Sequence, residues 1–258
     1  MYWQERMAKS QDAISQKKAK QIEKQIKKYY AKSMERVIGD FEKTYLKIRA
    51  AVAAGKEPTP ADLYKLDTYW KMQAELREEL QQLGEKQAIL YSKEFEAQYE
   101  DIYNSIALHS DTGTFNSIAK GNVNQMVNEI WCADGKSWSQ RIWDNTDKLQ
   151  DALNEELLHC VVTGKTSSDL KKRLMRQFNV SYNRADTLVR TELAHIQTEA
   201  ARNRYRDAGL TEVEVWADAD ERRCEHCGTL HKKRFPINGK MPVPAHPKCR
   251  CCIVPVIE

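Results

Sequence analysis

Two short cysteine clusters late in the chain hold the residues best suited to chemistry. The first reads Cys224-Glu225-His226-Cys227, the second Ala245-His246-Pro247-Lys248-Cys249-Arg250-Cys251-Cys252. Taking Cys224, Cys227, His246 and Cys249 gives C-x2-C-x18-H-x2-C, two close pairs separated by one loop, which is the ligand spacing of a tetrahedral Zn2+ site. Cys251 in place of His246 gives a second set of four. The two compete for the fourth position, with Pro247 favouring His246 by stiffening the two-residue turn. Thiolate and imidazole suit zinc, and the basic neighbours Arg222, Arg223, Lys248 and Arg250 favour deprotonated sulfur. Cys252 is expected on the opposite face of a strand from Cys251, as a spectator. His226 and His231 are rival donors, one inside the first pair and one just beyond it.

A catalytic zinc keeps three protein ligands and an open position, whereas five donor candidates are enough to close this one. The sequence has no H-E-x-x-H, nor the H-x-E with P-C-x-x-C of nucleobase deaminases. The zinc is therefore read as structural, in a small unit whose few apolar residues leave it dependent on metal-binding free energy. The competing readings are unliganded thiols and disulfides formed in an oxidising exterior. Seven cysteines, an odd number, with five in the last 35 residues, fit a metal in a reducing compartment better than a disulfide framework.

Other constellations are weaker. Thr163-Gly164-Lys165-Thr166 resembles the end of a P-loop, but His159 stands where the first glycine is required, so a helix stop followed by a helix start explains it. Arg190 and Glu192 on a helix, with Asp220 and Arg222 just ahead of the first cysteine, read as an ion-pair network joining helix to tail. The same residues define an enzyme alternative, a nuclease or transferase using Glu192, Asp220 and Arg222, but no nucleophile accompanies them. No catalytic residue and no small-molecule substrate are assigned.

Charge is unevenly spread. Residues 1–50 hold 13 Lys/Arg against 6 Asp/Glu, residues 57–101 hold 5 against 11, and residues 222–250 hold 8 against 1. Such local fields matter more for binding than the formal net charge of +4. The basic tail makes double-stranded DNA a candidate partner, through Arg223, Lys232, Lys233, Arg234, Lys248 and Arg250. A zinc-dependent, sequence-specific DNA-binding protein is the alternative, but the tail reads as strands and loops, without a recognition helix. No apolar stretch is long enough for a bilayer span and the N-terminus lacks an apolar core, so neither a membrane nor a secretory signal is expected.

Positioning the cysteine pairs falls to a mainly α chain. Residues 1–108 form a region of long helices: one over 1–53, a second from Thr59-Pro60 that Gly84 ends, and a third over 85–108, each with an apolar stripe at spacings of three and four. Residues 109–144 are an irregular connector anchored by Trp131, Trp138 and Trp143, taken as core, with a short helix from Val123. Residues 145–258 carry a helix on Leu149, Leu153 and Leu157, a basic helix over 169–178 capped by Ser167 or Ser168, and a longer one capped by Ser181 and ending at Gly209. The period then changes to two at Thr211–Trp216, so the cysteines lie in a small α+β module over 215–258, with further strands near 232–237 and 251–257.

The order of motifs in this last segment carries a resemblance. A helix with Val189-Arg190-Thr191-Glu192 precedes a strand ending Val215-Trp216, then Asp220-Glu221-Arg222-Arg223-Cys224-Glu225-His226-Cys227, then Pro244-Ala245-His246-Pro247-Lys248-Cys249-Arg250-Cys251. Over roughly residues 145–256 this succession resembles the phage head morphogenesis, or Mu F-like minor head protein, family. Tyr2-Trp3-x-x-Arg6 and the basic helix after it resemble longer members from phages of Gram-positive hosts. Members of the Mu type carry arginine and histidine near the positions of Cys224 and Cys227, whereas this sequence keeps every cysteine. The resemblance implies a non-enzymatic, low-copy capsid component, present in the virion interior or at the portal vertex and in the host cytoplasm during assembly. It also implies the portal protein, the major capsid protein and packaged DNA as partners.

Overall fold

The computed structural model describes residues 3–52, 59–107, 120–217 and 223–257. Among these residues six helices precede the first strand: α1 (Trp3–Val52), α2 (Pro60–Tyr64), α3 (Asp67–Ala107), α4 (Lys120–Val127), α5 (Trp138–Val162) and α6 (Ser167–Asp207). After these come β1 (Glu212–Trp216), a short α7 (Glu225–Leu230), β2 (Arg234–Pro236) and β3 (Cys252–Pro255). The mainly α class with a small C-terminal sheet is as the sequence led us to expect. Among the described residues no helix is long and apolar enough to cross a membrane. The loop expected at Ala53–Pro58 and the breaker Gly113 lie outside the described residues.

The chain divides into two compact units. One comprises Met1–Glu23, Leu90–Trp138 and Asp186–Glu258, the other Lys24–Ile89 and Ser139–Ala185. This partition runs across the sequence-based boundaries at 108 and 144, because α1, α3 and α6 each contribute residues to both units.

The second unit is filled by apolar and aromatic side chains, with Tyr45, Tyr69, Phe41, Phe178, Ile26, Ile48 and Met72 fully buried. The tyrosines keep partners for their hydroxyls: Tyr45 donates to the carbonyls of Cys160 (3.0 Å) and Lys165 (2.7 Å), Tyr69 to Asn154 Oδ1 (2.8 Å). Among the described residues its one buried carboxylate, Glu156, accepts from Arg173, Arg176 and Gln177 at 2.8–3.0 Å. Burial opposes its ionisation, but those donors outweigh burial and hold the carboxyl below its usual range.

Several sequence-based boundaries shift here for identifiable reasons. Gly84 does not end a helix; α3 runs through it. A Cβ at Gly84 would fall 2.6 Å from the Trp143 ring, so glycine serves close approach of the indole at this position. Ser181 does not cap a helix either. It is buried inside α6, where its oxygens meet Tyr30 and the Asn145 amide. The start of α6 is capped by Thr166, which exchanges hydrogen bonds with Asp169, and not by Ser167 or Ser168. α5 begins at Trp138, seven residues ahead of Asn145, so the last part of the expected connector is helical. Trp143, expected in the core, is 36% exposed, and the apolar Trp70 and Ile89 of α3 are 55% and 73% exposed.

The first unit contains the sheet, in the order β2-β1-β3, both pairings antiparallel. Val213 and Val215 face the interior from β1, while Ile253 and Val254 in β3 are completely buried. The edge of β3 is closed by side chains from the helices: Gln11 Nε2 (3.2 Å) and the Tyr205 hydroxyl (3.2 Å) both donate to the Ile253 carbonyl. Polar groups also run through the helical interior. Gln98 donates to Ser15 (2.6 Å), which donates to Gln197, and Asn203 donates to Tyr99 (2.7 Å). Trp138 is buried against Phe95 as expected, its Nε1 donating to the Val127 carbonyl (3.2 Å).

Candidate metal centre

Each cysteine pair sits in a tight turn whose backbone polarity suits a sulfur anion. In the first, Cys224 is the residue capping α7; its Sγ accepts from the Cys227 amide (3.3 Å), and its carbonyl accepts from the Gly228 amide (3.0 Å). In the second, the Cys249 amide donates to the His246 carbonyl (3.2 Å), with Lys248 at φ 59° closing the turn. The antiparallel pairings that join β1 to β2 and β3 bring the two turns together, as the loop between the pairs requires.

Five donor atoms meet there in two groups of three: Cys224, Cys227 and His246, and Cys227, Cys249 and Cys251. Within each group all ligand atoms lie within 4.8 Å of one another, and Cys227 belongs to both. His246 Nε2 is 3.3 Å from Cys224 Sγ and 3.2 Å from Cys227 Sγ, and Cys227 Sγ is 3.8 Å from Cys249 Sγ. A tetrahedral zinc with Zn–S bonds of about 2.3 Å holds its sulfurs about 3.8 Å apart, so the donor set fits that ion. The set Cys224, Cys227, His246 and Cys249 is divided between the two groups, which an ion would draw together around Cys227. Cys252, in β3, lies outside both groups with its Sγ 3.7 Å from the Trp216 carbonyl. His226 is exposed, and His231 Nδ1 accepts from the Ala217 amide (3.2 Å).

The four clustered thiols divide into two held down and two pushed up. Hydrogen bonding from the Cys251 thiol and from the Cys251 and Ala245 amides outweighs burial and holds the Cys249 thiol down at about 5. The Cys227 amide lowers Cys224 likewise. Burial and the neighbouring sulfurs push Cys227 up to about 12, and donation to Cys249 raises Cys251 as well. Adjacent thiolates repel, so without a metal some of these sulfurs keep their protons. A divalent cation removes that restriction.

The helix motif ahead of the strand supports the second turn. Thr191 Oγ1 accepts from the Lys248 amide (3.1 Å) while donating to the Thr187 carbonyl (2.7 Å). Asp186 bridges Arg190 (2.9 Å) and Lys248 Nζ (2.7 Å), and Arg190 also reaches Glu23 (2.7 Å). Glu192 is buried and accepts from Trp131 Nε1 (2.9 Å), and that indole stacks on the buried His195 at 4.3 Å. Asp220 and Arg222, the other members of the expected network, lie outside the described residues. Sequence reasoning missed Glu23, Asp186 and His195, and it quoted Thr191 without a role. The i, i+4 spacing of Asp186 and Arg190 was the available signal.

Of the basic residues, Arg223, Lys232, Lys233 and Arg234 are exposed, the last on the edge strand β2. Lys232 Nζ lies 5.6 Å above the Trp216 ring. Lys248 is committed to Asp186, and Arg250 pairs with Asp12 at 3.3 Å. A cavity of about 420 Å³ opens beside the sulfur cluster, bounded by Asp12, Ser15, Arg190, Gln197 and Arg223.

Residues 151–254 match the family model described as Phage Mu protein F like protein. Over that stretch the chain is similar to the phage Mu F-like family. The matched stretch begins within α5 and ends in β3, so the Mu F-like segment contains all five donors and the Arg190-Thr191 support. Phage head morphogenesis is the role this structural family suggests, and the virion the corresponding location. No curated protein and no solved structure matches the chain.

Proposed function

We propose that this chain is a non-enzymatic minor head protein, in which one structural Zn2+ closes the C-terminal module and an exposed basic edge meets packaged double-stranded DNA. The observation that carries the reading is the coincidence of two features: the Mu F-like match at 151–254 and the donor groups around Cys227 fall in the same segment. The ligands come from Cys224, Cys227, Cys249, His246 and Cys251. The proposed DNA surface is led by Arg223, Lys232, Lys233 and Arg234, which are exposed, whereas Lys248 and Arg250 share their charge with Asp186 and Asp12. The N-terminal helices, with their basic first 50 residues, are the proposed contact with the portal and major capsid proteins.

Two experiments test this. Mass spectrometry of heads assembled with the neighbouring portal should find the chain inside the particle; portal-containing heads that mature normally without it would remove the assembly role. Binding to random-sequence duplex DNA should weaken by at least about tenfold between 50 and 200 mM salt, as phosphate contacts by several cations require. Lys232→Ala with Lys233→Ala and Arg234→Ala should flatten that dependence, and binding that ignores salt would strike DNA from the partners.

A further inference from the structure

A tetrahedral zinc, with Zn–N and Zn–S bonds of about 2.0 and 2.3 Å, holds its four ligand atoms about 3.5–3.8 Å from one another. The five donors of the sulfur cluster are arranged otherwise. Ligand atoms that all lie within 4.8 Å of one another come in threes: Cys224 with Cys227 and His246, and Cys227 with Cys249 and Cys251. Among the described residues no four donors meet that distance together. The cluster is two triangles with one shared corner. That corner is the Cys227 sulfur, 3.2 Å from His246 Nε2 in one triangle and 3.8 Å from Cys249 Sγ in the other.

The backbone builds each triangle separately. Cys224 caps α7 and Cys227 lies in its first turn, and His246 Nε2 meets both of their sulfurs. Cys249 and Cys251 stand two residues apart just ahead of β3. A single four-coordinate ion must reach across the shared corner and still leaves one donor unused. A thiolate sulfur has lone pairs enough for two cations, so a second ion employs every donor without moving one triangle onto the other. All five donor residues border the cavity of about 420 Å³, from which water can complete the fourth position on each ion. Resting on the zinc reading above, we infer that the cluster is a two-metal site at saturating Zn2+. One ion is held by Cys224, Cys227 and His246, the other by Cys227, Cys249 and Cys251, and the Cys227 sulfur bridges them. The first ion to bind closes the module, and the second takes up the donors that the first leaves.

Native mass spectrometry of the full reduced chain, titrated with Zn2+, tests the count and should reach two ions per chain. Cys251→Ser and His246→Ala each remove a donor from one triangle only, so each should lower the count to one. Cadmium NMR of the wild type, loaded with isotopically labelled Cd2+, tests the bridge without any substitution. Two cadmium resonances, split by mutual coupling through the shared sulfur, are the expected spectrum. A wild-type chain that saturates at one ion overturns the two-metal site and leaves the zinc reading standing. Protein that takes up neither Zn2+ nor Cd2+ overturns both. A count of two that survives both substitutions, or two cadmium resonances without mutual coupling, places the second ion elsewhere and overturns the bridge.

Discussion

The two units draw on the same long helices yet are filled differently. In the unit of Lys24–Ile89 and Ser139–Ala185 the buried polar residues Ser33, Gln87, Asn145, Thr146 and Ser181 are uncharged, and among the described residues Glu156 is the one buried charged group, satisfied by three donors. In the unit that holds the sheet, Gln11, Ser15, Gln98, Glu192, His195, Gln197, Glu199 and Arg204 are all buried, beside a cluster of cysteines. Apolar burial responds weakly to pH, chelators or oxidants. Buried titratable groups and thiolates respond to all three. On the proposed zinc reading, the contrast teaches that one part of this chain answers mainly to apolar packing and the other also to pH and metal.

Metal removal should break the comparison most visibly. A strong chelator in reducing buffer should strip the sulfur cluster, which the adjoining cavity leaves approachable, and amides of β1, β2 and β3 should lose hydrogen-exchange protection. Structural zinc binds small modules with an apparent free energy of about 10–16 kcal/mol, so this is the largest effect expected. Amides of α5 beyond Trp138 should be unaffected; equal losses in both units would mean that the metal stabilises the whole chain.

Acid should act next. Burial pushes the His195 imidazole down to about 4, so between that value and the ordinary 6.5 the unfolded chain binds a proton that the folded chain refuses. The stability this provides is complete above about pH 6.5 and is lost as pH falls toward 4, by up to roughly 3 kcal/mol. Burial raises the Glu199 carboxyl, which works in the opposite sense over part of the same range. His195→Phe, which keeps a ring against Trp131, isolates the histidine: urea melts at pH 7.5 and 4.5 should differ less in the variant than in wild type. An unchanged difference would remove His195 as the cause.

The smallest expected effect sharpens the apolar side. Alanine in place of a helical glycine ordinarily adds about 1 kcal/mol of stability. At Gly84 it meets the Trp143 ring at 2.6 Å, and Gly84→Ala should instead cost about 1–2 kcal/mol. In a Trp143→Ala background the same change should become stabilising. Thermal melts of the four proteins in that cycle decide it, and a stabilising Gly84→Ala in wild type would show that the indole swings away freely.

Most of the architecture was legible because the signals were local. The α1 stripe, the change of period at β1 and the Gly209 stop each follow from residues within a turn or two of one another. The errors at Gly84 and Ser181 share one cause. A glycine or serine inside a helical pattern carries the same local signal whether it ends the helix or meets a distant side chain, and Trp143, Tyr30 and Asn145 decided in favour of the latter. The donor set was legible from spacing. The support behind it was not, since Asp186 and Thr191 reach Lys248 across 62 and 57 residues of sequence.

The hydrogen bond from Gln11 to the Ile253 carbonyl spans 242 residues. Contacts of such separation form late, after local helices have spared the chain much of the entropy of closing so large a loop. During synthesis, then, α1 emerges first and waits with an unfilled polar face until the last strand arrives. Until that moment the cysteines have no sheet to hold them in register, and on the proposed reading zinc and β3 would complete the unit together. On the proposed zinc reading timing therefore matters: metal available when β3 docks decides whether the four clustered thiols and His246 are drawn to an ion or the thiols are left to react with one another.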